Sequence, residues 1–250
     1  MSNIQLYNGD CLEIMKQIPD NSVDCIICDL PYGTTSCKWD IVIPFDKLWE
    51  QYKRVRKENA PIILFGTEPF SSSLRLSNFK EYKYDLYWVK EKPTNFLQLK
   101  KRFGKLTENI CIFYKSQPTY NPQKYSVNYR ITNKPKQKSN DSIVAAAGFN
   151  NIKPYEDDGT RYPCDILNFN RVPLGKTIHP TQKPVELLEY LIKSFSNEGD
   201  LVLDNCMGSG STGVACLNTN RNFIGIELNE DFFKIAKERI NSIKSNIISL

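Results

Sequence analysis

Four residues that could do chemistry, Asp29, Leu30, Pro31 and Tyr32, are separated only by Cys28 from an apolar run at residues 23–27. Such a run is typical of a buried parallel strand. Pro31 cannot pair in a sheet ladder and the glycine after Tyr32 permits a turn, so the strand is predicted to end here. Because open α/β sheets bind ligands at the carboxyl ends of their strands, the four residues are candidates for a catalytic site. The alternative is a plain turn in which Asp29 bonds to its own backbone.

A glycine-rich stretch at residues 208–213 fits the pattern GxGxxG. It lies between a predicted strand and a predicted helix, and Glu227 ends the next predicted strand at nearly the separation expected for nucleotide binding. Glycines let the backbone approach a ligand, and the Glu227 carboxylate can accept hydrogen bonds from two ribose hydroxyls. The strand, the glycine-rich stretch, the helix and Glu227 together predict binding of an adenosine-containing cofactor, whose identity they leave open. A glycine-rich turn that only packs is the alternative.

Composition restricts the class of protein. The 250 residues are 40% hydrophobic and 24% charged, which suits one large α/β domain with an insertion and does not suit a disordered chain. No apolar run approaches the roughly 20 residues needed to span a bilayer, and the first residues do not resemble a signal peptide. Cys25 and Cys28 form a lone Cys-x-x-Cys pair without the second pair that a zinc site requires. We expect reduced thiols, no metal and a cytoplasmic location.

The positive charge is concentrated in one segment. Residues 80–105 hold eight Lys or Arg and three acids, and that difference equals the net charge of +5. Aromatic residues are interleaved with the cations, a combination that suits a polyanion with stackable bases. Lys100, Lys101 and Arg102 are the candidate contacts. A solvated edge of the sheet is the alternative.

Hydrophobic periodicity predicts alternating strands and helices, the pattern of an α/β fold. We predict strands at residues 4–7, 23–27, 60–65, 82–89, 109–114, 201–204 and 222–227, and helices near residues 11–18, 45–57, 71–76, 181–192, 212–218 and 231–244. From residue 117 to about 176 no period is sustained. A loop this long is usually functional or an inserted subdomain.

Three motifs occur in a fixed order along the chain. They are Asp-Leu-Pro-Tyr at residues 29–32, His-Pro-Thr-Gln-Lys-Pro at 179–184 and Asp-Asn-Cys-Met-Gly-Ser-Gly-Ser-Thr at 204–212. Their order and spacing resemble the β-class DNA amino-methyltransferases, in which the catalytic half precedes the half that binds S-adenosylmethionine. The resemblance covers nearly the whole chain and is weakest at residues 118–165. Leu30 departs from the family, which usually has Pro there, and residues 205–207 depart where Pro-Phe-Ala is common.

The resemblance implies a circularly permuted, Rossmann-like α/β fold with helices on both faces of a mostly parallel, seven-stranded sheet. One strand is expected to be antiparallel, and the first strand is expected to lie beyond the last two. The implied organisation is a catalytic half at residues 1–117, a target-recognition insertion at 118–165 and a cofactor-binding half at 166–250.

The implied activity is site-specific transfer of a methyl group to the exocyclic N6 of an adenine flipped out of double-stranded DNA. Asp29 and the Leu30 carbonyl would accept the two amino N–H bonds, so that the nitrogen lone pair points at the methyl group. Leu30 serves as well as Pro because only its carbonyl is used. Pro31 belongs to the same catalytic set, and Tyr32 offers a ring on which the flipped base can stack.

The family pattern also carries over contacts to the cofactor. Asp10 and Cys11 would lie near the adenine, Glu227 at the ribose, the glycine loop along the methionine part, and the segment of His179, Thr181 and Lys183 over its carboxylate. The full expected set is Asp10, Cys11, Asp29, His179, Thr181, Lys183, Asp204, Cys206, Met207, Gly208, Ser209, Gly210, Ser211, Thr212, Glu227 and Leu228. For His179, capping or packing is an equal alternative.

Target choice is expected to reside in the aperiodic segment, where Gln123, Asn128 and Arg130 could read base edges. Several alternatives stay open at this point: methylation of cytosine N4, an RNA substrate, a nicotinamide-dependent oxidoreductase, and a DNA-binding protein that has lost catalysis. An Asp at position 29 favours adenine over cytosine, for which family members more often have Ser. The resemblance leaves open a cognate restriction enzyme as partner, and the choice between monomer and homodimer.

Overall fold

The computed structural model describes residues 2–34, 40–126, 158–173 and 182–248. For residues 246–248 it describes the backbone alone. The chain divides into two compact units, one formed by Met1–Asn121 with Cys164–Leu250 and the other by Pro122–Pro163. Asn121 ends the first stretch, where its backbone N–H donates to the Ser194 carbonyl at 2.8 Å. The second unit therefore falls inside the segment expected as an insertion, and the recognition role of that segment stays a prediction.

The first unit is built on one sheet. The described strands of both units are β1 (Ile4–Asn8), β2 (Cys25–Cys28), β3 (Ile62–Gly66), β4 (Tyr82–Val89), β5 (Thr107–Phe113), β6 (Tyr125–Ser126), β7 (Thr160–Arg161), β8 (Ile166–Asn168), β9 (Leu201–Asp204) and β10 (Asn222–Glu227). The sheet order is β1-β10-β9-β2-β3-β5-β4-β8. Only β5 runs antiparallel to its neighbours in this sheet, and β1 lies beyond β10 and β9, as the resemblance implied.

The expected number of seven strands is wrong, because the sheet has eight among the described residues. The additional strand, β8, pairs in parallel with Tyr87–Val89 of β4. It has three residues, of which Leu167 alone is buried, so it is too short to show a period of two in the sequence.

Helices cover both faces of the sheet. They are α1 (Cys11–Met15), α2 (Phe45–Val55), α3 (Phe70–Ser77), α4 (Val185–Phe195), α5 (Ser211–Asn218) and α6 (Glu230–Ile248). One core lies between the sheet and α1, α2 and α3, and the other between the sheet and α4, α5 and α6. Strand β2 contributes Ile26 to the first core and Ile27 to the second, because alternate side chains of a strand point to opposite faces.

The helix predicted between residues 181 and 192 begins later, with Pro184 at its N-cap. Thr181, the first residue of the predicted helix, lies outside the described residues. None of the helices in the described ranges is long and apolar enough to cross a membrane.

Two glycines set the packing of α5. Gly210, at the N-cap, has a φ of +77°, and a Cβ there would lie 3.0 Å from the Ala236 side chain of α6. A Cβ on Gly213 would lie 2.5 Å from Ile240 of α6 and 2.9 Å from Phe223 of β10. Glycine is thus required at both positions for α5 to approach α6 and the sheet so closely.

The described part of the second unit contains a short antiparallel pair, β6 with β7. Within it the Lys124 ammonium lies 4.6 Å from the centroid of the Tyr162 ring.

Candidate active site

The carboxyl ends of β1, β10, β9 and β2 meet at one edge of the sheet, because these four neighbouring strands are parallel. A cavity of about 1240 Å³ opens at this edge. Its lining includes most of the residues predicted from the sequence: Asp10, Cys11, Asp29, Leu30, Pro31, Tyr32, Lys183, Asp204, Cys206, Met207, Gly208, Ser209, Ser211, Thr212, Glu227 and Leu228. The catalytic motif at residues 29–32 and the predicted cofactor loop that begins at residue 208 therefore share one cavity, although they are remote in sequence.

Asp29 is held by two donors. The Tyr32 hydroxyl donates to Asp29 Oδ1 at 2.6 Å, and the Lys183 ammonium bonds to Oδ2. Burial raises the pKa of Asp29, against the attraction of Lys183. The pKa of Tyr32 is also raised, by burial and by the carboxylate beside it. Asp29 thus stands as a half-buried acceptor whose orientation is set by a phenol and an ammonium.

A second carboxylate, Glu108 on β5, completes this cluster. Glu108 is 7% exposed. Its carboxylate oxygens lie 3.1 Å from the Lys183 ammonium, 2.6 Å from the Lys90 ammonium and 3.2 Å from the Tyr32 hydroxyl. Burial alone would raise the pKa of Glu108, but the attraction of Lys183 and Lys90 outweighs it and lowers the pKa to about 2. Two carboxylates and two ammonium groups therefore balance each other in a largely buried position.

The cluster differs from the sequence prediction at two lysines. Lys183 was expected at the carboxylate of a cofactor, and the structure pairs it with Asp29 and Glu108. Lys90 was counted in the basic segment, yet its ammonium is directed at Glu108 with a side chain 11% exposed. Glu108 was not among the residues predicted from the sequence, although an acid directly before the predicted strand at residues 109–114 was a signal that could have indicated it.

The side chains of Tyr32 and Leu30 both pack against neighbouring apolar residues. The Tyr32 ring stacks on Phe70 of α3 with centroids 4.8 Å apart and an interplanar angle of 27°. The Leu30 side chain is 4% exposed and packs in the core beneath α1, α2 and α3. An apolar side chain thus fills the place of the family's usual Pro without disturbing the turn.

Glu227, at the end of β10, anchors the glycine loop. Its Oε2 accepts the Gly208 N–H at 2.9 Å and its Oε1 accepts the Asn229 N–H at 2.8 Å. Burial raises the pKa of this carboxyl. Each carboxylate oxygen has two acceptor positions, so the capacity to accept a further hydrogen bond remains on both.

Asp204, at the end of β9, organises the same loop from the other side. Its Oδ2 accepts the Thr212 hydroxyl at 2.6 Å and its Oδ1 accepts the Cys206 N–H at 3.1 Å. Burial raises the pKa of Asp204 to about 6, since these hydrogen bonds offset only part of the desolvation. Arg239 of α6 supports the loop from behind, donating to the Ser209 carbonyl at 3.1 Å and the Ser211 hydroxyl at 3.0 Å.

Residues from β1 and β9 meet at a further side of the cavity. Asp10 caps α1 by accepting the Leu12 N–H at 2.7 Å, and Cys11 begins that helix. The Asn205 side chain donates to Cys11 Sγ and to Cys206 Sγ, each at 3.5 Å. The buried Tyr52 hydroxyl donates to Asn205 Oδ1 at 2.5 Å and so fixes that amide.

The remaining predicted residues lie elsewhere or outside the described ranges. Gly210 is not in the cavity lining and serves the packing of α5 instead. Lys100, Lys101 and Arg102 are exposed on the connection between β4 and β5, and Gln123 belongs to the second unit. His179, Thr181, Asn128 and Arg130 lie outside the described residues. Among the residues that the structure describes, no cluster of three or more His, Cys, Asp or Glu side chains is arranged to hold a metal ion.

The chain is similar in sequence to known proteins along most of its length. A family model described as DNA methylase matches residues 23–238. The type II methyltransferase M.HpaI of Haemophilus parainfluenzae is 31% identical over 95% of this chain and 74% of its own length. The DNA adenine methyltransferase YhdJ of Escherichia coli strain K12 is 29% identical over 94% of this chain and 82% of its own length.

Solved structures show the same fold. The crystal structure of the M1.HpyAVI–SAM complex has a TM-score of 0.63 at 28% identity, covering 95% of this chain and 99% of that one. The cytosine-N4-specific PvuII DNA methyltransferase has a TM-score of 0.68 at 16% identity, covering 100% of this chain and 94% of that one, a likeness of fold alone.

Proposed function

The chain belongs to the DNA methylase family, whose model matches residues 23–238, and from this premise we propose that it methylates N6 of adenine in duplex DNA with S-adenosylmethionine as methyl donor. The observation that carries the proposal is the shared cavity, in which Asp29 and Tyr32 lie together with Glu227 and the loop that Asp204 holds. The relatives named as adenine or type II methyltransferases support the choice of adenine.

The residues of the cavity fit this methyl donor. When bound, S-adenosylmethionine supplies an electrophilic methyl group on a positively charged sulfur. Glu227 keeps acceptor capacity for the ribose hydroxyls. The carboxyl groups of Asp29 and Asp204, both with pKa values raised by burial, gain from a neighbouring cation, because its charge favours their ionised forms.

Asp29 and Leu30 prepare the adenine for attack. The amino nitrogen of adenine is a poor nucleophile because its lone pair is delocalised into the ring. When Asp29 and the Leu30 carbonyl accept its two N–H bonds, the lone pair is directed out of the ring plane toward the methyl group. Lys183 and Tyr32 keep the Asp29 carboxylate in one orientation, so that catalysis rests on positioning and electrostatics. The proton released from the methylated nitrogen passes through an Asp29 oxygen to water.

Tyr32 receives the flipped base. Phe70 covers one face of its ring, which leaves the opposite face for the adenine. A base held there would form the third layer of a stack, worth about 1–3 kcal/mol for the base–ring contact. The Tyr32 hydroxyl holds Asp29 at the same time, which couples the stacking ring to the acceptor of the amino group.

The exposed connection between β4 and β5 is the proposed contact with the DNA backbone. It presents Lys100, Lys101 and Arg102 beside Phe103, which is 99% exposed. The second unit, with Gln123, Asn128 and Arg130, is proposed to read the target sequence. We include a cognate restriction endonuclease among the partners because M.HpaI is named a type II methyltransferase. The DNA substrate makes the cytoplasm the proposed location.

Single-turnover transfer of labelled methyl to DNA tests the proposal. Asp29→Asn and Asp29→Ala should bind methyl donor and DNA nearly as the parent does, yet lose at least about a hundredfold in turnover, because the lost interaction acts in the transition state. Tyr32→Ala should lose less. Asp46→Asn, an exposed carboxylate at the start of α2, is the matched control and should behave as the parent.

Nucleoside analysis of the labelled DNA identifies the product. We expect the label in N6-methyladenine. Label in N4-methylcytosine would contradict the choice of base, and near-parental transfer by Asp29→Ala would contradict the mechanism.

A further inference from the structure

Three cysteines from distant parts of the chain meet beside the cavity. Cys11 begins α1, Cys28 ends β2 and Cys206 follows β9. The Asn205 side-chain nitrogen lies 3.5 Å from both Cys11 Sγ and Cys206 Sγ, which makes these two sulfurs neighbours, and Cys206 acts on the pKa of Cys28 as well. Cys11 and Cys206 line the cavity, whereas Cys28 is fully buried and does not. Two of the three thiols can therefore be reached by a molecule that enters the cavity.

The two accessible thiols are not equivalent. The pKa of Cys11 is lowered, because hydrogen bonds from Cys206 and Asn205 stabilise its thiolate against burial. The pKa of Cys206 is raised well above its ordinary value, and burial raises the pKa of Cys28 to about 12. Since the thiolate is the nucleophilic form, Cys11 is the attacking group and Cys206 is the thiol beside it.

We propose that Cys11 and Cys206 form a reactive dithiol that small-molecule disulfides convert into an intramolecular disulfide. The Cys11 thiolate attacks one sulfur of the small disulfide, forms a mixed disulfide and releases the first small thiolate. The Cys206 thiol then loses its proton to solvent and its sulfur attacks Cys11 Sγ, which releases the second. The protein loses two electrons and two protons, and the small disulfide is reduced to two thiols.

The consequence for binding rests on the proposed function. Cys11 lies at the position expected near the adenine of S-adenosylmethionine, and Cys206 lies in the segment expected along its methionine part; both line the cavity. A disulfide between them draws α1 toward the loop after β9 and disturbs Asn205, which contacts both sulfurs. Formation of the disulfide and binding of the methyl donor should therefore exclude each other.

The first measurement counts thiolates. Cys164, which is exposed, and Cys37, which lies outside the described residues, are first replaced by serine to remove background. This protein is treated with an aromatic disulfide that releases a coloured thiolate. We expect two thiolates released for each chain, no retained adduct and an intact mass lower by two hydrogen atoms.

Variants of the same background identify the sulfurs. Cys206→Ser should release one thiolate and retain one adduct on Cys11, and Cys206→Ala provides the same test if the serine variant does not fold. Cys11→Ser should lose the fast reaction, and Cys28→Ser should react as the background protein does. A retained adduct in the background protein, or a disulfide mapped to Cys28, would overturn the proposal.

The second measurement compares oxidised and reduced forms of the same protein. Calorimetry should show S-adenosylmethionine binding at least about tenfold weaker after oxidation, with recovery in dithiothreitol, because a covalent link reshapes a preformed site. Saturating S-adenosylmethionine should slow thiolate release by a similar factor. Equal affinity of the two forms would overturn the mutual exclusion. A reduced protein that binds no S-adenosylmethionine would instead overturn the proposed function, while the thiolate count and the mass still decide on the dithiol.

Discussion

Replacing Glu108 with Gln tests the charge balance at the centre of the site. Gln keeps the shape of the side chain and removes its charge. Glu108 forms ion pairs with Lys183 at 3.1 Å and with Lys90 at 2.6 Å. In the variant, Asp29 would be the one carboxylate left in the cluster to balance both ammonium groups. Because the side chains of Glu108 and Lys183 are each 9% exposed, water can screen the unbalanced charge only weakly.

The pKa of Glu108 and the general cost of breaking a buried ion pair indicate the same loss of folding free energy. The pKa of Glu108 is about 2, against an ordinary value of 4.5. At about 1.4 kcal/mol for each unit of pKa, this difference corresponds to roughly 3 kcal/mol of folding free energy. Breaking a buried ion pair by removal of one partner costs about 3–5 kcal/mol. We therefore expect Glu108→Gln to lower the free energy of unfolding by about 3 kcal/mol at neutral pH.

The loss should depend on pH in a defined direction. A carboxyl group whose pKa is lowered by folding stabilises the folded protein fully above its unfolded pKa, here 4.5, and loses that contribution as the pH falls toward 2. The difference between parent and variant should be constant above pH 4.5 and shrink below it.

Urea unfolding at several pH values measures this difference. Glu13→Gln, at a side chain 67% exposed and paired with Lys16, is the control and should stay within about 0.5 kcal/mol of the parent. Lys90→Met combined with Glu108→Gln should be more stable than Glu108→Gln alone, because it removes one of the unpaired cations. A loss below about 0.5 kcal/mol for Glu108→Gln at neutral pH would refute the reasoning.

Three further outcomes are expected. Glu227→Ala should weaken S-adenosylmethionine binding without changing the fold, since each charge-assisted hydrogen bond to a buried partner is worth roughly 1.5–3 kcal/mol; equal affinity by calorimetry would remove Glu227 from the ribose site. Lys100→Ala with Lys101→Ala should flatten the dependence of DNA affinity on salt, by about 0.9 in log–log slope for each lost phosphate contact, and an unchanged slope would return these residues to the solvated edge. The Asp204 carboxyl should titrate near pH 6 in a carbon-detected NMR experiment. Because folding raises this pKa from 3.8, its contribution to stability is present below pH 3.8 and is lost as the pH rises through about 6; a midpoint near 3.8 would contradict the role of burial.

Much of the site could be predicted because its motifs depend on local structure. A strand, a turn and a helix start each have short sequence signals, and these signals placed Asp29, Glu227 and the glycine loop at the ends of strands. Because parallel strands have their ligand sites at one edge of the sheet, the same signals predict that these residues lie close together. The place of β1 beyond β9 and β10 and the single antiparallel strand were implied by the resemblance to a family, which also follows from the sequence alone.

The pairing of side chains across the sheet was decided only by the tertiary structure. Lys90 reaches Glu108 because Trp88 of β4 stands opposite Glu108 of β5 in the antiparallel register, and that register depends on the packing of both faces. Lys183 joins them from a segment far along the chain, where nothing in the neighbouring residues indicates an ion pair with Asp29. Cys11, Cys28 and Cys206 come together in the same way, because the parallel strands β1, β2 and β9 have their carboxyl ends at one edge of the sheet. Local spacing therefore identifies which residues can do chemistry, whereas the charges that neighbour them are set by contacts between elements remote in sequence.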